Sequence, residues 1–409
     1  MATNFTDNDR IREILSEIPE NKTYSDITDA EGNQYVDLVQ EGGGVLGIAL
    51  VGYTYVLEHA GIRFFSLAGT SAGAINTMMM AGLGEISEAK SEKILDILDR
   101  QNLFDFVDGS PAVRKIIDKI IKKESFGWSL AWNAMSIYKT IKAKLGLNPG
   151  KKFEDWIGAE LAKEGVRTMA DLETQRKVLP EGLKDTQTGE PVRDIEPGLA
   201  IIASDISTHT KVDFPRMAEL YWSDPETASP GQMVRASMSI PFFFEPLKLS
   251  KLPNAGKTKD PAWDKYAKYT GPVPESVRFV DGGMLSNFPI NVFHKKKDER
   301  LRKPTFGVRL SDYREAFSTT DTLLGLCGAM VSTMRQIHDY DFLLKNPDYR
   351  QLICRIDADE KFNWLDFNMN AETRQKLFML GAEKALTFLK KFDWAEYKKT
   401  RGQLAEQPA

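Results

Sequence analysis

The chain has 409 residues, a net charge of −4 and a hydrophobic fraction of 42%, enough for a packed core in one large domain or two ordinary ones. Its mild acidity argues against general nucleic-acid affinity, and no apolar run reaches the roughly 18 residues that span a bilayer. The only cysteines, Cys327 and Cys354, form no C-x-x-C, and the start "MATNFTDNDR" is unlike a signal peptide, so we expect a cytoplasmic protein without a disulfide framework or zinc site.

The first half of the chain predicts a parallel α/β sheet. Residues 1–34 are polar and are expected to form an N-terminal extension. A strand at 34–40, a glycine loop, a buried helix at 46–60, a second strand at 62–68 and a tight turn running into a helix at 69–82 then follow. Strands alternating with helices in this way are typical of parallel α/β folds.

The rest of the chain predicts further elements of the same domain. Residues 85–165 are mostly helical in pattern and are interpreted as an insertion, and 177–198 as a loop or weak hairpin. Strands are expected at 199–207, 209–215, 277–283, 304–310 and 350–356, with a helix from residue 230 that ends before Pro241. We therefore predict one domain over 35–395 and a frayed tail over 396–409.

The glycine loop "EGGGVLGIAL" (41–50) allows two interpretations. Gly42, Gly44 and Gly47 fit the dinucleotide-binding pattern G-x-G-x-x-G. That pattern needs an acidic residue about 20 positions later, at the end of the second strand, to bind the ribose. The second strand ends "SLAGTS" with no acid, and Glu58 falls within the helix pattern. The dinucleotide interpretation is therefore disfavoured.

The second strand leads instead into "GTSAG" (69–73), a G-x-S-x-G between a strand and a helix. A sharp turn in that context exposes the serine Oγ, and the amino end of the following helix favours negative charge there. The alternative is a serine that only caps the amino end of the helix. Three successive glycines (42–44) one crossover earlier can direct several N–H groups at one developing oxyanion, which favours Ser71 as a nucleophile.

Together the blocks "GGGVLG" (42–47), "GTSAG" (69–73) and "DGG" (281–283), with softer matches in "VRASMSIPFFF" and "DGGMLSNFPI", resemble the patatin-like phospholipase family. The resemblance covers roughly residues 35–310. It implies a three-layer α/β/α sandwich with a mainly parallel sheet and a helical insertion. It also implies calcium-independent hydrolysis of lipid acyl esters, with no cofactor and no bound metal.

Carried over residue by residue, the resemblance makes Ser71 the nucleophile and Asp281, 210 residues later, its dyad partner. The backbone amides of Gly42, Gly43 and Gly44 become the oxyanion hole. Without the resemblance, "DGG" would be interpreted as a turn after a strand. This chain has Leu46 where the family usually has Arg or Lys, which implies a weaker attraction for anionic head groups.

A Ser-His-Asp triad is the alternative mechanism, and it needs a histidine. The chain has four: His59 in the first helix, His209 in a polar turn, His294 before a charged run and His338 in a helical pattern. None follows the acid in a strand-end loop, where α/β-hydrolases place theirs. Packing or surface roles are the better interpretation for all four.

Residues 114–152 contain ten basic and two acidic side chains, interleaved with Phe126, Trp128, Trp132 and Tyr138. Such a segment is either a solvated helical face or a peripheral contact with a membrane. "PFFFEP" (241–246) could line an acyl pocket or belong to the core. The leading function is a serine lipid acyl hydrolase; an acyltransferase with the same acyl-serine and a weak, lipid-binding pseudoenzyme are the alternatives.

Overall fold

The computed structural model describes residues 5–121, 139–295, 300–311, 320–321, 329, 333, 340–359 and 361–405. The described strands are β1 (Ile27–Thr28), β2 (Gln34–Gln40), β3 (Ile62–Thr70), β4 (Gly146–Asn148), β5 (Lys184–Asp185), β6 (Leu199–Asp205), β7 (Thr210–Phe214), β8 (Phe242–Phe244), β9 (Leu247–Ser250), β10 (Ser276–Asp281), β11 (Thr305–Arg309) and β12 (Ile353–Arg355). The helices named below are α1 (Asp9–Ser16), α2 (Ile48–His59), α3 (Ala72–Gly82), α4 (Ser91–Arg100), α5 (Pro111–Ile121), α6 (Lys151–Lys163), α7 (Met169–Arg176), α8 (Pro230–Ser237), α9 (Pro261–Ala267), α10 (Ala371–Lys391) and α11 (Trp394–Ala405).

A mainly parallel sheet with helices on both sides forms the centre of the protein, as the sequence predicted. Its main path runs β12-β11-β2-β3-β6-β10-β9. The pairs from β12 to β6 are parallel, and β10 and β9 continue the sheet antiparallel. β3 lies near the middle, and all its residues except Arg63 are buried. Its nearly continuous apolar sequence matches a strand that is covered on both faces.

The pairing register of β3, β6 and β10 brings the turn after β3 close to the end of β10. Thr70, the last residue of β3, pairs with Ile202 of β6. On the same edge of β6, Asp281 ends β10 opposite Ala203, because β7 occupies the other edge. Because Ile202 and Ala203 are consecutive, the turn after β3 and the end of β10 meet at the same point of β6.

Three expectations from the sequence need correction. The tail is not frayed over 396–405, because α11 continues to Ala405 and its Arg401 is buried against Asp348 at 3.3 Å. The N-terminal segment is no separate extension, since β1 pairs with β2 and Tyr24 is buried. The helical region 85–165 also contains β4, which pairs in parallel with β8. The partners of Arg401 and of β4 lie far along the chain, where local patterns carry no signal.

α2 and α10 pack against each other with their backbones in contact. A methyl group on Gly52 would overlap the carbonyl oxygen of Phe378, and one on Gly381 would overlap that of Ala49. This close approach accounts for glycine within two otherwise regular helices, where it costs helix propensity. None of the described helices combines the length and apolar character needed to cross a bilayer.

We expect Gly381→Ala to lower the free energy of unfolding by about 2 kcal/mol, because the added methyl group overpacks the helix crossing. Gly158→Ala in α6 is the matched control: nothing lies within 4 Å of the added methyl group, so helix propensity should stabilise this variant by up to about 1 kcal/mol. Urea denaturation of both variants measures the difference. Equal stability changes would contradict the described crossing.

Candidate active site

Ser71 occupies a strained backbone conformation between β3 and α3. Its φ is 52° and its ψ is −117°, a region that residues with a Cβ rarely adopt. Such strain costs about 1–3 kcal/mol and persists only where the surroundings enforce it. The residue is buried and lies at the amino end of α3, where the helix dipole favours negative charge. The sharp turn from strand to helix matches the one that G-x-S-x-G predicted, whereas the predicted exposure of the serine is not seen.

The two glycines of this turn are required by close packing. A methyl group on Gly69 would overlap the carbonyl oxygen of Gly73. A methyl group on Gly73 would overlap the carbonyl oxygen of Gln40, at the end of β2. The start of α3 is therefore pressed against two strand ends, which fixes the direction in which the turn at Ser71 points.

The last turn of α8 contacts both predicted dyad residues. Ser237 Oγ accepts a hydrogen bond from the Ser71 N–H at 2.9 Å and donates one to the Ile202 carbonyl at 2.5 Å. Two residues on, the Ser239 carbonyl accepts from the Asp281 N–H at 2.8 Å. These contacts fix the backbones of Ser71 and Asp281 relative to each other. Both serines lie in the block "VRASMSIPFFF", whose pattern predicted no role for Ser237 or Ser239.

The buried side chain of Arg235 fixes the end of α8 through hydrogen bonds. Its guanidinium donates to the carbonyls of Pro149 and Glu245, both at 2.7 Å, and to Ser239 Oγ. Burial lowers its pKa to about 10, so the group remains a cation at neutral pH. The chain around β4 and β8 is thereby attached to the helix that contacts Ser71 and Asp281.

Asp281 is buried, and its carboxylate also ends the strand. Asp281 Oδ1 accepts from the Gly283 N–H at 2.8 Å, closing the "DGG" turn. A methyl group on Gly282 would lie 3.0 Å from Thr70 Cγ2, and Thr70 Oγ1 donates to the Ser286 carbonyl at 3.0 Å. The turn after Asp281 therefore packs directly on the residue before Ser71. The structure brings the two predicted dyad residues to one place.

The glycine loop packs against Ser71. A methyl group on Gly42 would lie 3.1 Å from Ser71 Cβ. The Gly42 N–H donates to the Asn287 carbonyl at 3.1 Å, so this amide already has an acceptor. The N–H groups of Gly43 and Gly44 have no acceptor within the part of the chain that is described. Of the three predicted oxyanion-hole amides, only that of Gly42 therefore has an acceptor in the described structure.

Glu41, a residue that sequence analysis did not single out, anchors this loop. Its buried carboxylate accepts from the N–H groups of Leu310 at 2.7 Å and Ser311 at 3.0 Å, and from Ser311 Oγ at 2.8 Å. Asn287 Nδ2 donates to the same carboxylate and to the Gly42 carbonyl, both at 3.2 Å. The only sequence signal was an acidic residue directly before three glycines.

An apolar cavity of about 700 Å³, including its open mouth, begins at Ser71. Phe244 lines it, so one ring of "PFFFEP" is both a pocket wall and part of the core. Asn76 contributes the one amide side chain of the lining, with its Nδ2 donating to Gln40. The other lining residues are Gly44, Val45, Gly47, Ile48, Val51, Ala72, Ile75, Met79, Ile94, Leu98, Leu103, Phe106, Phe153, Trp156, Met238, Ile240 and Phe367.

The described histidines lie away from this cavity. His59 Nδ1 is 2.9 Å from the Tyr55 carbonyl within α2, and His209 lies in the turn between β6 and β7. His294 Nδ1 is 2.9 Å from the Tyr349 hydroxyl. None of these three lines the cavity, and His338 falls outside the described residues. Within the described residues, no group of three or more His, Cys, Asp or Glu side chains could hold a metal.

Leu46 and Glu58 both serve packing rather than ligand binding. Leu46 is 1% exposed and lies in the core, not along the cavity. The predicted link between the missing cation at this position and head-group attraction stays a prediction. Glu58 accepts from the N–H groups of Lys90 and Ser91 at the start of α4, which removes the last acidic candidate for ribose binding.

Comparison with known proteins gives one family and several relatives. The family model for patatin-like phospholipase matches residues 38–294, more than half of the chain. The uncharacterized protein YqhO of Bacillus subtilis (strain 168) is 31% identical over 369 residues, which cover 88% of this chain and 100% of YqhO. The family-model match includes both Ser71 and the glycine loop.

Two solved structures are similar at a lower level. VipD from Legionella pneumophila is 14% identical, with a TM-score of 0.37, over 92% of this chain and 73% of that chain. ExoU, in its complex with SpcU from the type III secretion system of Pseudomonas aeruginosa, is 17% identical, with a TM-score of 0.34, over 91% of this chain and 52% of that chain. At these scores, the fold assignment depends on the sheet order described above.

We expect Ser71→Gly to raise the free energy of unfolding by about 1 kcal/mol, because glycine adopts the conformation of residue 71 without strain. The greater conformational entropy of glycine in the unfolded chain offsets part of this gain. Ser71→Ala keeps a Cβ and should leave stability nearly unchanged. Thermal and urea unfolding of the two variants provide the comparison. If Ser71→Gly is the less stable of the two, the backbone at Ser71 is not strained.

Proposed function

Since this chain belongs to the patatin-like phospholipase family, we propose that it is a serine hydrolase that cleaves carboxylic ester bonds of lipids through a Ser71–Asp281 dyad. The observation that carries the proposal is the placement of Ser71. It lies on a strained turn and lines an apolar cavity, and the end of β10 at Asp281 adjoins this turn along the same edge of β6. A nucleophile that lines an apolar cavity suits an acyl substrate.

In the proposed reaction, Ser71 Oγ attacks the ester carbonyl and transfers its proton to the Asp281 carboxylate. The carbonyl π electrons move to the oxygen, giving a tetrahedral oxyanion. This collapses to an acyl-serine as the alcohol leaves with the proton from Asp281. A water molecule then attacks the acyl-serine, Asp281 accepts its proton, and the fatty acid leaves as Ser71 is restored.

We assign the proposed oxyanion hole to the N–H groups of Gly43 and Gly44. These donors are fixed by the Glu41 contacts before substrate arrives, so little reorganisation accompanies charge development. Gly42, included in the prediction from sequence, is better described as a support for the loop, because its N–H donates to the Asn287 carbonyl. The amino end of α3 adds a favourable field.

The substrate class follows from the cavity. Its lining is almost entirely apolar, which favours a hydrocarbon chain over a polar acyl group. Phospholipids, lysophospholipids and simple fatty esters all present such a chain. Transfer of the acyl group to another hydroxyl would use the same acyl-serine, and an assay with added alcohol acceptors distinguishes the two outcomes by product mass.

A peripheral membrane contact through 114–152 stays part of the proposal. Within the described part of this segment, Arg114 lies 3.8 Å from Asp105 and Lys151 pairs with Asp155. Lys139 and Lys142 are exposed. Lys122, Lys123, Phe126, Trp128, Trp132 and Tyr138 fall outside the described residues.

We expect Ser71→Ala and Asp281→Asn each to lower kcat for a soluble short-chain ester by about a thousandfold or more, and the double variant to lose no more, because the two groups act as one unit. Mass spectrometry on a panel of phospholipids, lysophospholipids and fatty esters should show loss of the same products. A fluorophosphonate probe should label the wild-type protein at Ser71 only.

His294→Gln is the matched control, since His294 contacts Tyr349 rather than the cavity, and its activity should equal that of the wild type. A folded Asp281→Asn variant with full activity would contradict the dyad. Loss of activity in His294→Gln, with Asp281→Asn unaffected, would support a triad instead.

A further inference from the structure

Three of the six large hydrophobic side chains that are strongly exposed in the described structure lie close to residues that line the Ser71 cavity. Phe242 is 66% exposed, Leu145 44% and Trp364 37%. Single exposed hydrophobic residues are ordinary on protein surfaces. A group of them beside a cavity indicates a surface that leaves water when the protein functions.

Trp364 contacts the cavity wall directly, and Phe242 and Leu145 are connected to it through their neighbours. Phe242 precedes Phe243, whose ring stacks on Phe367 at 5.1 Å, and Phe367 lines the cavity. Leu145 precedes Gly146, which pairs with Phe242 across β4 and β8. The Trp364 carbonyl accepts from the Val45 N–H at 3.0 Å, in the glycine loop.

The backbone at Phe242 presents its ring outward. Its φ is 66°, a left-handed conformation that is rare for a bulky residue. Phe244, two residues on, is fully buried in the cavity wall. An aromatic residue held exposed at a conformational cost, beside a residue of the cavity, is unexplained by packing within the chain.

Positive charge borders the same surface. Lys139, Lys142 and Lys144 are exposed on the helical residues 139–144, which lead directly to Leu145. Lys144 lies 3.4 Å from Glu245, and between residues 139 and 152 the sequence has five lysines and no acidic residue. Lysines beside exposed aromatic and aliphatic side chains are typical of a surface that meets anionic lipid.

We propose that this rim, Leu145, Phe242 and Trp364 with Lys139, Lys142 and Lys144, docks on the surface of an anionic lipid bilayer with the cavity mouth facing it. The functional reason for docking rests on the proposed function, because an acyl chain can then move from the bilayer into the cavity without crossing water. The apolar side chains insert among the lipids, and the lysines contact the anionic head groups.

The test measures binding separately from catalysis. In a Ser71→Ala background, vesicles of phosphatidylcholine mixed with phosphatidylglycerol are titrated with Phe242→Asn, a polar substitution that tolerates positive φ. The expected result is an affinity about tenfold lower, from the lost burial of one aromatic ring. Val178→Asn is the matched control: Val178 is 47% exposed and lies just after Arg176, which contacts the opposite ends of β3 and β6. It should bind like the parent protein.

The lysines are tested by the combined change Lys139→Gln, Lys142→Gln and Lys144→Gln. This variant should lose the preference for phosphatidylglycerol over pure phosphatidylcholine vesicles, and added salt should weaken the parent protein more than the variant. Equal vesicle affinity for Phe242→Asn and Val178→Asn overturns the proposal. So does a dimer that Phe242→Asn dissociates while vesicle binding is unchanged, since the rim would then join two copies.

With Ser71 restored, Phe242→Asn should hydrolyse a soluble ester at the wild-type rate and vesicle lipid more slowly. Loss of both activities in a folded variant would overturn the docking role. Absence of soluble-ester hydrolysis in the wild-type protein would contradict the proposed function alone, because vesicle binding by the Ser71→Ala protein does not depend on it.

Discussion

The conformation of Ser71 depends on contacts from two distant parts of the chain. Its N–H donates to Ser237 of α8, and the segment from Gln40 to Gly42 packs against Gly73 and against the Cβ of Ser71. No single neighbour could hold a residue with a Cβ at φ 52°, because the strain exceeds the worth of one hydrogen bond. The cavity mouth, the start of α3 and the approach of Asp281 are all set by where this turn is held.

Buried polar groups supply much of that restraint. Glu41 fixes the glycine loop to the end of β11, and Ser237 and Ser239 fix α8 to Ser71 and Asp281. A buried donor left without its acceptor costs about 1–3 kcal/mol. Small displacements of these segments are therefore disfavoured, as a reaction that depends on the position of one oxygen atom requires.

Much of this arrangement could be predicted from the sequence, and the missing part has a common cause. The strands and helices around Ser71 follow from apolar runs and glycine turns that are local in the chain. Glu41, Ser237 and Ser239 escaped notice because each acts on a partner far away in sequence. The same reason hid the pairing of β4 with β8 and the docking of Arg401 in α11 on Asp348.

The central claim is that Ser71, Asp281 and the amides of Gly43 and Gly44 form one reaction centre. A crystal structure of the protein after reaction with a fluorophosphonate measures this most directly. The account predicts a phosphonyl group on Ser71 Oγ, its oxygen accepting hydrogen bonds from the Gly43 and Gly44 N–H groups, its alkyl chain in the apolar cavity and the Asp281 carboxylate beside Ser71 Oγ. An adduct on another residue, or a phosphonyl oxygen directed away from both amides, would contradict it.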